Sequence, residues 1–363
     1  MLALVLSGRA LAGSMPPIQT VFIILMENCN WSDIKGNADA TYINNVLLPM
    51  ASHCEQYYNP PGLHPSEPNY LWLEAGTNFG VFDDNDPCIN HQDTTHHLVT
   101  LLGNAGISWK TYQEDISGAC VPLVATNAYS PRHNPFVYFD DVTGTNAPDW
   151  ACGIAHIRPC DELAADLANH TVARYNFITP NLCHDMHDTC APLNNPIRQG
   201  DNWLAAQVPP ILNSAAYQNG GALFITWDEA ASGDGPIGMI VLSPLARGGG
   251  YFNNIWYTHS ATLRTFQEVF GVTPLLGDAA SATDLNDLFW PFEVSGVVTL
   301  PGGGLQLTAV GVTPGRTNLV QASSDFTNWM SISTNVTSAY TFTVTDYTAT
   351  NFTTRFYRLV QLP

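Results

Sequence analysis

Two six-residue runs, VFIILM at residues 21–26 and ALFITW at residues 222–227, are apolar but for Thr226. A near-continuous apolar run of that length is the pattern of a strand buried on both faces of a sheet. Residues 107–112, 175–178 and 239–243 read as further strands. Between them lie stretches of helical character at residues 93–102, 161–169, 203–217 and 260–270, the last amphipathic. Strands alternating with helices predict an α/β chain, a sheet in a three-layer α/β/α arrangement. The Asn- and Pro-rich residues 78–90 and 125–160 predict loops over a site. From residue 294 the pattern changes to Thr, Val, Ser and Gly, with no Lys, Cys or His. Residues 304–310 and 340–345 alternate apolar with polar and 355–360 close the chain, which predicts a small C-terminal all-β sandwich. The expected organisation is residues 15–292 as the larger domain and 293–363 as an accessory β module.

The two apolar strands end in polar pairs: Glu27-Asn28 after the first, Asp228-Glu229 after the second. Ligands of open α/β sheets bind outside the carboxyl ends of the strands, so the two pairs are candidates to face one site. Three carboxylates and an amide crowd together only if a cation neutralises them. Oxygen donors suit a hard divalent ion. A third segment, His64-Pro65-Ser66-Glu67-Pro68-Asn69-Tyr70, sets a Ser between two prolines at a helix start. That helix is expected to run to about Ala75 and stop near Gly76. It gathers the Ser66 hydroxyl, the first-turn N–H groups and the Asn69 amide around one point, which favours an anion such as a phosphate. Taken alone, a Ser-Pro pair is an ordinary helix cap, and each acidic pair is an ordinary strand end in water.

The charge pattern narrows the partners. Twelve Lys and Arg face 31 Asp and Glu, for a net charge of −19. The region from residue 294 holds three Arg and two Asp, so the residues before it carry −20. Such a surface argues against nucleic acid and against anionic membranes. Anionic substrate at this protein needs local positive charge, from a cation or from histidines charged at a working pH below neutral. All eight Cys lie between Cys29 and Cys190, which favours disulfides in an oxidising compartment. The local pairs expected are Cys152–Cys160 and Cys183–Cys190. A metal alternative uses Cys183, His184, His187 and Cys190, though zinc fingers space their Cys more tightly. Residues 1–14 look like the remnant of a signal peptide, and no run is long enough to span a membrane. The expected location is secreted or periplasmic.

The chain resembles the phosphoesterase family of bacterial acid phosphatases and phospholipases C, within the alkaline phosphatase superfamily. The resemblance covers residues 17–271. Its blocks are Ile24-Leu25-Met26-Glu27-Asn28, the segment from His64 to Tyr70, Arg132-His133-Asn134-Pro135-Phe136, and residues 177–182 with Asp185 and His187. Gly200-Asp201-Asn202-Trp203-Leu204, Ile225-Thr226-Trp227-Asp228-Glu229 and Thr258-His259-Ser260 with Leu263-Arg264-Thr265 complete it. The resemblance implies an alkaline-phosphatase-like core. It implies Ser66 as a nucleophile that forms a phosphoserine, and one divalent cation on Glu27, Asn28, Ser66, Asp228 and Glu229. Ca²⁺, Mg²⁺ or Mn²⁺ is favoured and Zn²⁺ is admitted. It implies Asn69, His133 and Asp185 as substrate contacts, and His187 or His259 as the acid that protonates the leaving group. The Asp-x-x-x-His pair that a second metal needs occurs at Asp93–His97 and Asp166–His170, both in stretches read as helical, so protonated histidines are expected to supply charge instead.

The activity expected is phosphoric ester hydrolysis, as an acid phosphatase on small phosphate esters. A phospholipase C-type phosphodiesterase on phospholipid headgroups is the alternative, and an inert secreted binding protein the distant one. A Ser-His-Asp lipase is disfavoured because no Gly-x-Ser-x-Gly occurs. Residues 319–325 with Trp329 resemble C-terminal modules appended to secreted bacterial proteins. Trp329 reads as a core residue or a sugar-stacking platform, and the module as a surface or carbohydrate contact.

Overall fold

A computed structural model describes residues 15–126 and 128–362. The signal-peptide reading of residues 1–14 lies outside the described residues. The chain forms two compact units. The larger, Gln19–Leu288, is built on an eight-stranded sheet. Its strands are β1 (Thr20–Met26), β2 (Ser52–Cys54), β4 (Trp109–Gln113), β5 (Ile157–Pro159), β6 (Tyr175–Thr179), β7 (Gly221–Trp227), β8 (Met239–Leu242) and β9 (Tyr251–Asn253), in the order β5-β4-β6-β1-β7-β8-β2-β9. A separate two-stranded pair joins β3 (Tyr57–Tyr58) to β10 (Tyr257–Thr258). The five strands from β5 to β7 run parallel, and β8 is antiparallel to β7. Every residue of β1, β6 and β7 is buried, as their near-continuous apolar character requires.

Helices α1 (Ser66–Ala75), α2 (Leu98–Asn104), α3 (Glu162–Asn169), α4 (Pro196–Leu212) and α5 (His259–Phe270) complete the α/β/α arrangement. Helices α1, α2 and α5 pack together, and Phe266 of α5 meets Tyr175 of β6 and Phe224 of β7 edge to face. The helix expected from residue 93 begins only at Leu98, because His97 is extended and pinned by side-chain bonds. Asp93 and His97 therefore do not share a helix. The helix expected from residue 203 starts seven residues earlier, at Pro196, where the Asn195 side chain accepts from the Arg198 N–H. It stops at Leu212, and residues 215–218 form a separate turn of helix. Gly76 ends α1 with φ +71°, and a side chain there would meet the Leu276 carbonyl at 2.5 Å.

The smaller unit runs from Phe289 to the C-terminus, with the described residues before Gln19. It holds two three-stranded antiparallel sheets. One is β11 (Glu293–Leu300), β12 (Gly304–Val310) and β15 (Thr341–Asp346), in order β11-β12-β15. The other is β13 (Thr317–Ser323), β14 (Met330–Val336) and β16 (Phe356–Gln361), in order β14-β13-β16. Leu307, Ala309, Val312, Val320 and Ala322 form its buried interior. Trp329 is not in that core. It is half-buried, its ring is covered by the Arg358 guanidinium at 4.3 Å, and its indole N–H donates to the Phe326 carbonyl.

Candidate active site

The parallel register of the two central strands builds the site. Met26 at the end of β1 lies opposite Trp227 at the end of β7, and the Asp228 N–H donates to the Met26 carbonyl. Glu27-Asn28 and Asp228-Glu229 therefore leave the sheet side by side. Glu27, Asp228 and Glu229 are all buried. The Asn28 amide donates to Glu229 Oε1 at 2.6 Å. Burial, reinforced by Asp228 and Asp185, raises the Glu27 pKa well above the usual carboxylate range. Burial and the neighbouring Glu229 do the same to Asp228. Glu229 is raised by burial against the opposing effect of His64, whose Nδ1 lies 2.6 Å from Glu229 Oε2.

Helix α1 brings Ser66 to these carboxylates. Pro65 occupies the position before the helix and Pro68 its first turn, where proline fits. Ser66 is buried and its hydroxyl donates to Glu27 Oε2 at 3.0 Å. One turn on, Tyr70 donates its phenol to Glu27 Oε1 at 2.5 Å. Asn69 is turned to the same cluster, but its amide N–H groups are spent on the Leu63 and Pro65 carbonyls and on Glu229 Oε2. The Glu67 N–H in the first turn donates to Asp84. The free helix-start donors expected around Ser66 are thus largely engaged within the protein.

The histidines divide by position. His133 is buried, stacked on Tyr70 at 5.5 Å, with Nε2 3.3 Å from Glu27 Oε1. Burial, with Arg132 and His187 nearby, lowers its pKa well below the usual value. His259 is fully buried behind Asp228. Its Nε2 donates to the Asp228 carbonyl at 2.5 Å, and its Nδ1 lies 3.1 Å from the Tyr57 hydroxyl. Burial pushes its pKa down to about 4. Burial thus works against the protonated form expected to supply positive charge at these two positions. His187 differs: its side chain is 45% exposed and its Nδ1 pairs with Asp188 at 2.7 Å.

Asp185 and His187 ride on a loop closed by the Cys183–Cys190 disulfide. The Asp185 carbonyl accepts the Glu27 N–H at 2.7 Å, which ties the loop to the end of β1. Asp185 Oδ1 accepts the His187 N–H, and burial pushes its pKa up to about 7. Gln199 and Gly200 of α4 seat this loop. The Gln199 amide donates to the Cys183 and Asp188 carbonyls, and a side chain at Gly200 would strike Met186. The other local pair does not form: Cys152 lies in a short helix, Ala151–His156, Cys160 follows β5, and both thiols are free.

Sequence reasoning left Tyr57, His64, Tyr70 and Arg132 without roles. Tyr70 had a readable signal, standing four residues after Ser66 and hence on its helix face. Arg132 stood in a recognised block. The contact of Tyr57 with His259 joins residues 202 apart and has no local signature.

Among the described residues no three His, Cys, Asp or Glu side chains form a ready metal-binding group. The donor chemistry nevertheless fits a cation. Asn28 Oδ1 and both carboxylate oxygens of Asp228 are buried acceptors without a hydrogen-bond partner. They stand with Glu27 and Glu229, and all are hard oxygen ligands.

The mostly parallel α/β sheet, with a helix-start serine against paired acidic strand ends, fits a hydrolase of phosphoric esters on an alkaline-phosphatase-like fold. Residues 38–273 match the Phosphoesterase family, and the chain belongs to that family. A phosphatidylinositol-3-phosphatase of Mycobacterium tuberculosis is 28% identical over 279 residues, 77% of this chain and 85% of that protein. A phosphate-repressible acid phosphatase of Penicillium chrysogenum is 30% identical over 225 residues, 59% of this chain and 51% of that protein. The chain thus spans about half the length of that fungal relative. A solved alkaline phosphatase superfamily protein from Vibrio parahaemolyticus shares the fold, with a TM-score of 0.51 at 9% identity over 92% of this chain and 88% of that one.

Proposed function

We propose that this protein is a phosphomonoesterase that hydrolyses phosphate esters through a phosphoserine at Ser66. The observation that carries the reading is the hydrogen bond from Ser66 to Glu27 at the point where β1 and β7 deliver their acidic ends. The relatives named above are both phosphatases. With its hydrogen on Glu27, the Ser66 oxygen keeps its lone pairs for phosphorus. Attack forms the Oγ–P bond as the Oγ–H proton passes to the Glu27 carboxylate, and it breaks the bond to the leaving alcohol, which takes up a proton; water then hydrolyses the phosphoserine, releasing phosphate and returning the proton to Ser66. Glu27, Asn28, Ser66, Asp228 and Glu229 would hold one divalent cation, which when bound lowers the serine pKa and offsets negative charge. Of the two candidate acids, His187 is the better placed to protonate the alcohol. It is exposed, whereas the ring nitrogens of His259 face the Asp228 carbonyl and Tyr57. His259 instead holds the end of β7 in place.

The Cys183–Cys190 disulfide supports export to an oxidising compartment. No helix among the described residues is long and apolar enough to cross a membrane. The C-terminal unit is assigned a contact role outside the chemistry.

The test is Ser66→Ala. Loss of the nucleophile is expected to cut p-nitrophenyl phosphate turnover by at least about a thousandfold. Vanadate is expected to inhibit the wild type as a mimic of five-coordinate phosphorus. If Ser66 only caps the helix, the change would cost ~1 kcal/mol of stability and leave turnover close to wild type. A folded, cation-loaded Ser66→Ala protein with near-wild-type turnover would falsify the phosphoserine route.

A further inference from the structure

The acid-rich site lacks an obvious partner for its anionic substrate, and one side chain is placed to be it. Of the Lys and Arg side chains in the described residues, Lys35, Lys110, Arg158, Arg198, Arg264 and Arg355 are each committed to a carboxylate outside the site. Arg132, by contrast, bonds a member of the site, His133. Pro131 starts the short 3₁₀ turn Pro131–His133, which sets Arg132 beside His133. The Arg132 Nε donates to His133 Nε2 at 3.2 Å and lies 3.7 Å from Asp84 Oδ2. His133 in turn stacks on Tyr70, whose hydroxyl holds Glu27. The guanidinium is therefore anchored by its Nε edge to the chain of contacts that ends at Ser66. No hydrogen bond to either Nη nitrogen forms within the described residues, and the side chain is 35% exposed.

We propose that Arg132 is the specificity-determining residue of this site, a fixed guanidinium that recognises the extra oxygen and charge of a phosphate monoester. The inference rests on the phosphoesterase reading above. A monoester presents three non-bridging oxygens and up to two negative charges. A diester presents two such oxygens and one charge. A planar guanidinium with free Nη donors matches the additional oxygen with charge-assisted hydrogen bonds. The preferred substrates are then dianionic monoesters, and the residue sets the preference without taking part in bond making.

The experiment compares wild type, Arg132→Gln and Arg132→Lys on p-nitrophenyl phosphate and bis-p-nitrophenyl phosphate. Calorimetric titration with inorganic phosphate runs alongside. Arg132→Gln is expected to lower kcat/KM on the monoester about 30-fold, mainly through KM, the scale of a lost charge-assisted contact. The diester value should change less than about threefold and phosphate should bind about 30-fold more weakly, on the same basis. Arg132→Lys should recover part of the monoester loss. Equal losses on both esters would show that Arg132 merely holds His133 and would overturn the proposal. Unchanged kinetics on both would overturn it as well. If the wild type turns over neither ester, the phosphoesterase reading fails, and the phosphate titration alone then decides for Arg132. Weakened binding in Arg132→Gln supports the proposal, and unchanged or absent binding in both proteins overturns it.

Discussion

Glu27 gathers more of the site than any other residue: Ser66 and Tyr70 donate to its two oxygens, His133 lies against it, and its own N–H ties down Asp185. Buried carboxyls so arranged prefer to keep their protons, and the raised pKa values of Glu27 and Asp228 state the same fact. The sign matters for pH. A carboxyl whose folded pKa lies above its unfolded value gives stability that is complete below the unfolded pKa and is lost as pH rises through the folded one. The chelated protein is therefore expected to unfold at lower temperature at about pH 8 than at about pH 5. A divalent cation that binds the ionised carboxylates should restore more of that loss at the higher pH, and should restore activity. Thermal unfolding with chelator and with added Ca²⁺, Mg²⁺ or Mn²⁺ at both pH values measures this. A midpoint indifferent to cations, together with full activity in a protein shown metal-free by elemental analysis, would remove the cation assignment.

At the scale of elements, legibility followed length and locality. The strands β1 and β7 were readable because each is a long apolar run ending in polar residues, and α1 because proline starts it and Gly76 stops it. The three-residue strands β2, β5 and β9 carry too few positions for a period to show. The juxtaposition of Glu27 with Asp228 was inferred from strand ends, but the register that proves it pairs residues 201 apart and is invisible locally. The start of α2 was misplaced for a similar reason. His97 reads as one more helical position, yet its fully buried ring lies 3.0 Å from Asp141 Oδ1 and 3.3 Å from Glu74 Oε1 of α1. Glu74 also accepts the Val99 N–H at the start of α2. Burial alone would lower the His97 pKa, but the two carboxylates outweigh it and the pKa is raised. A histidine raised in the fold contributes stability that is full below its unfolded pKa and fades as pH climbs through its folded one. The deficit of His97→Asn in urea unfolding is therefore expected to be larger at about pH 5.5 than at about pH 8.5. A deficit equal at both values would mean that the ring acts as a neutral spacer.

On the scale of the whole molecule, chemistry and charge are concentrated in one unit. Every residue assigned to the site lies within Gln19–Leu288, and so does the acidic excess. The second unit has its own interior around Leu307, Val312 and Val320, and its own ion pair, Arg355 with Asp346 at 3.0 Å. Its composition change near residue 294 was visible because an exposed β module needs alternating Thr, Ser and Val where an enzyme core needs unbroken apolar runs. What could not be read was the fate of Trp329, since a tryptophan among strands fits a core as well as a surface, and only the position of Arg358 over its ring decides. A unit with its own core and none of the proposed site residues is expected to be dispensable for the chemistry. A chain ending at Pro291 is therefore expected to keep kcat on p-nitrophenyl phosphate within a factor of about three, the scale of ordinary context effects. Circular dichroism and the cation-dependent unfolding midpoint establish whether the shortened protein is folded. Retained cooperative unfolding with abolished turnover would show that the β unit completes the site, and the division of labour argued from these residues would then be wrong.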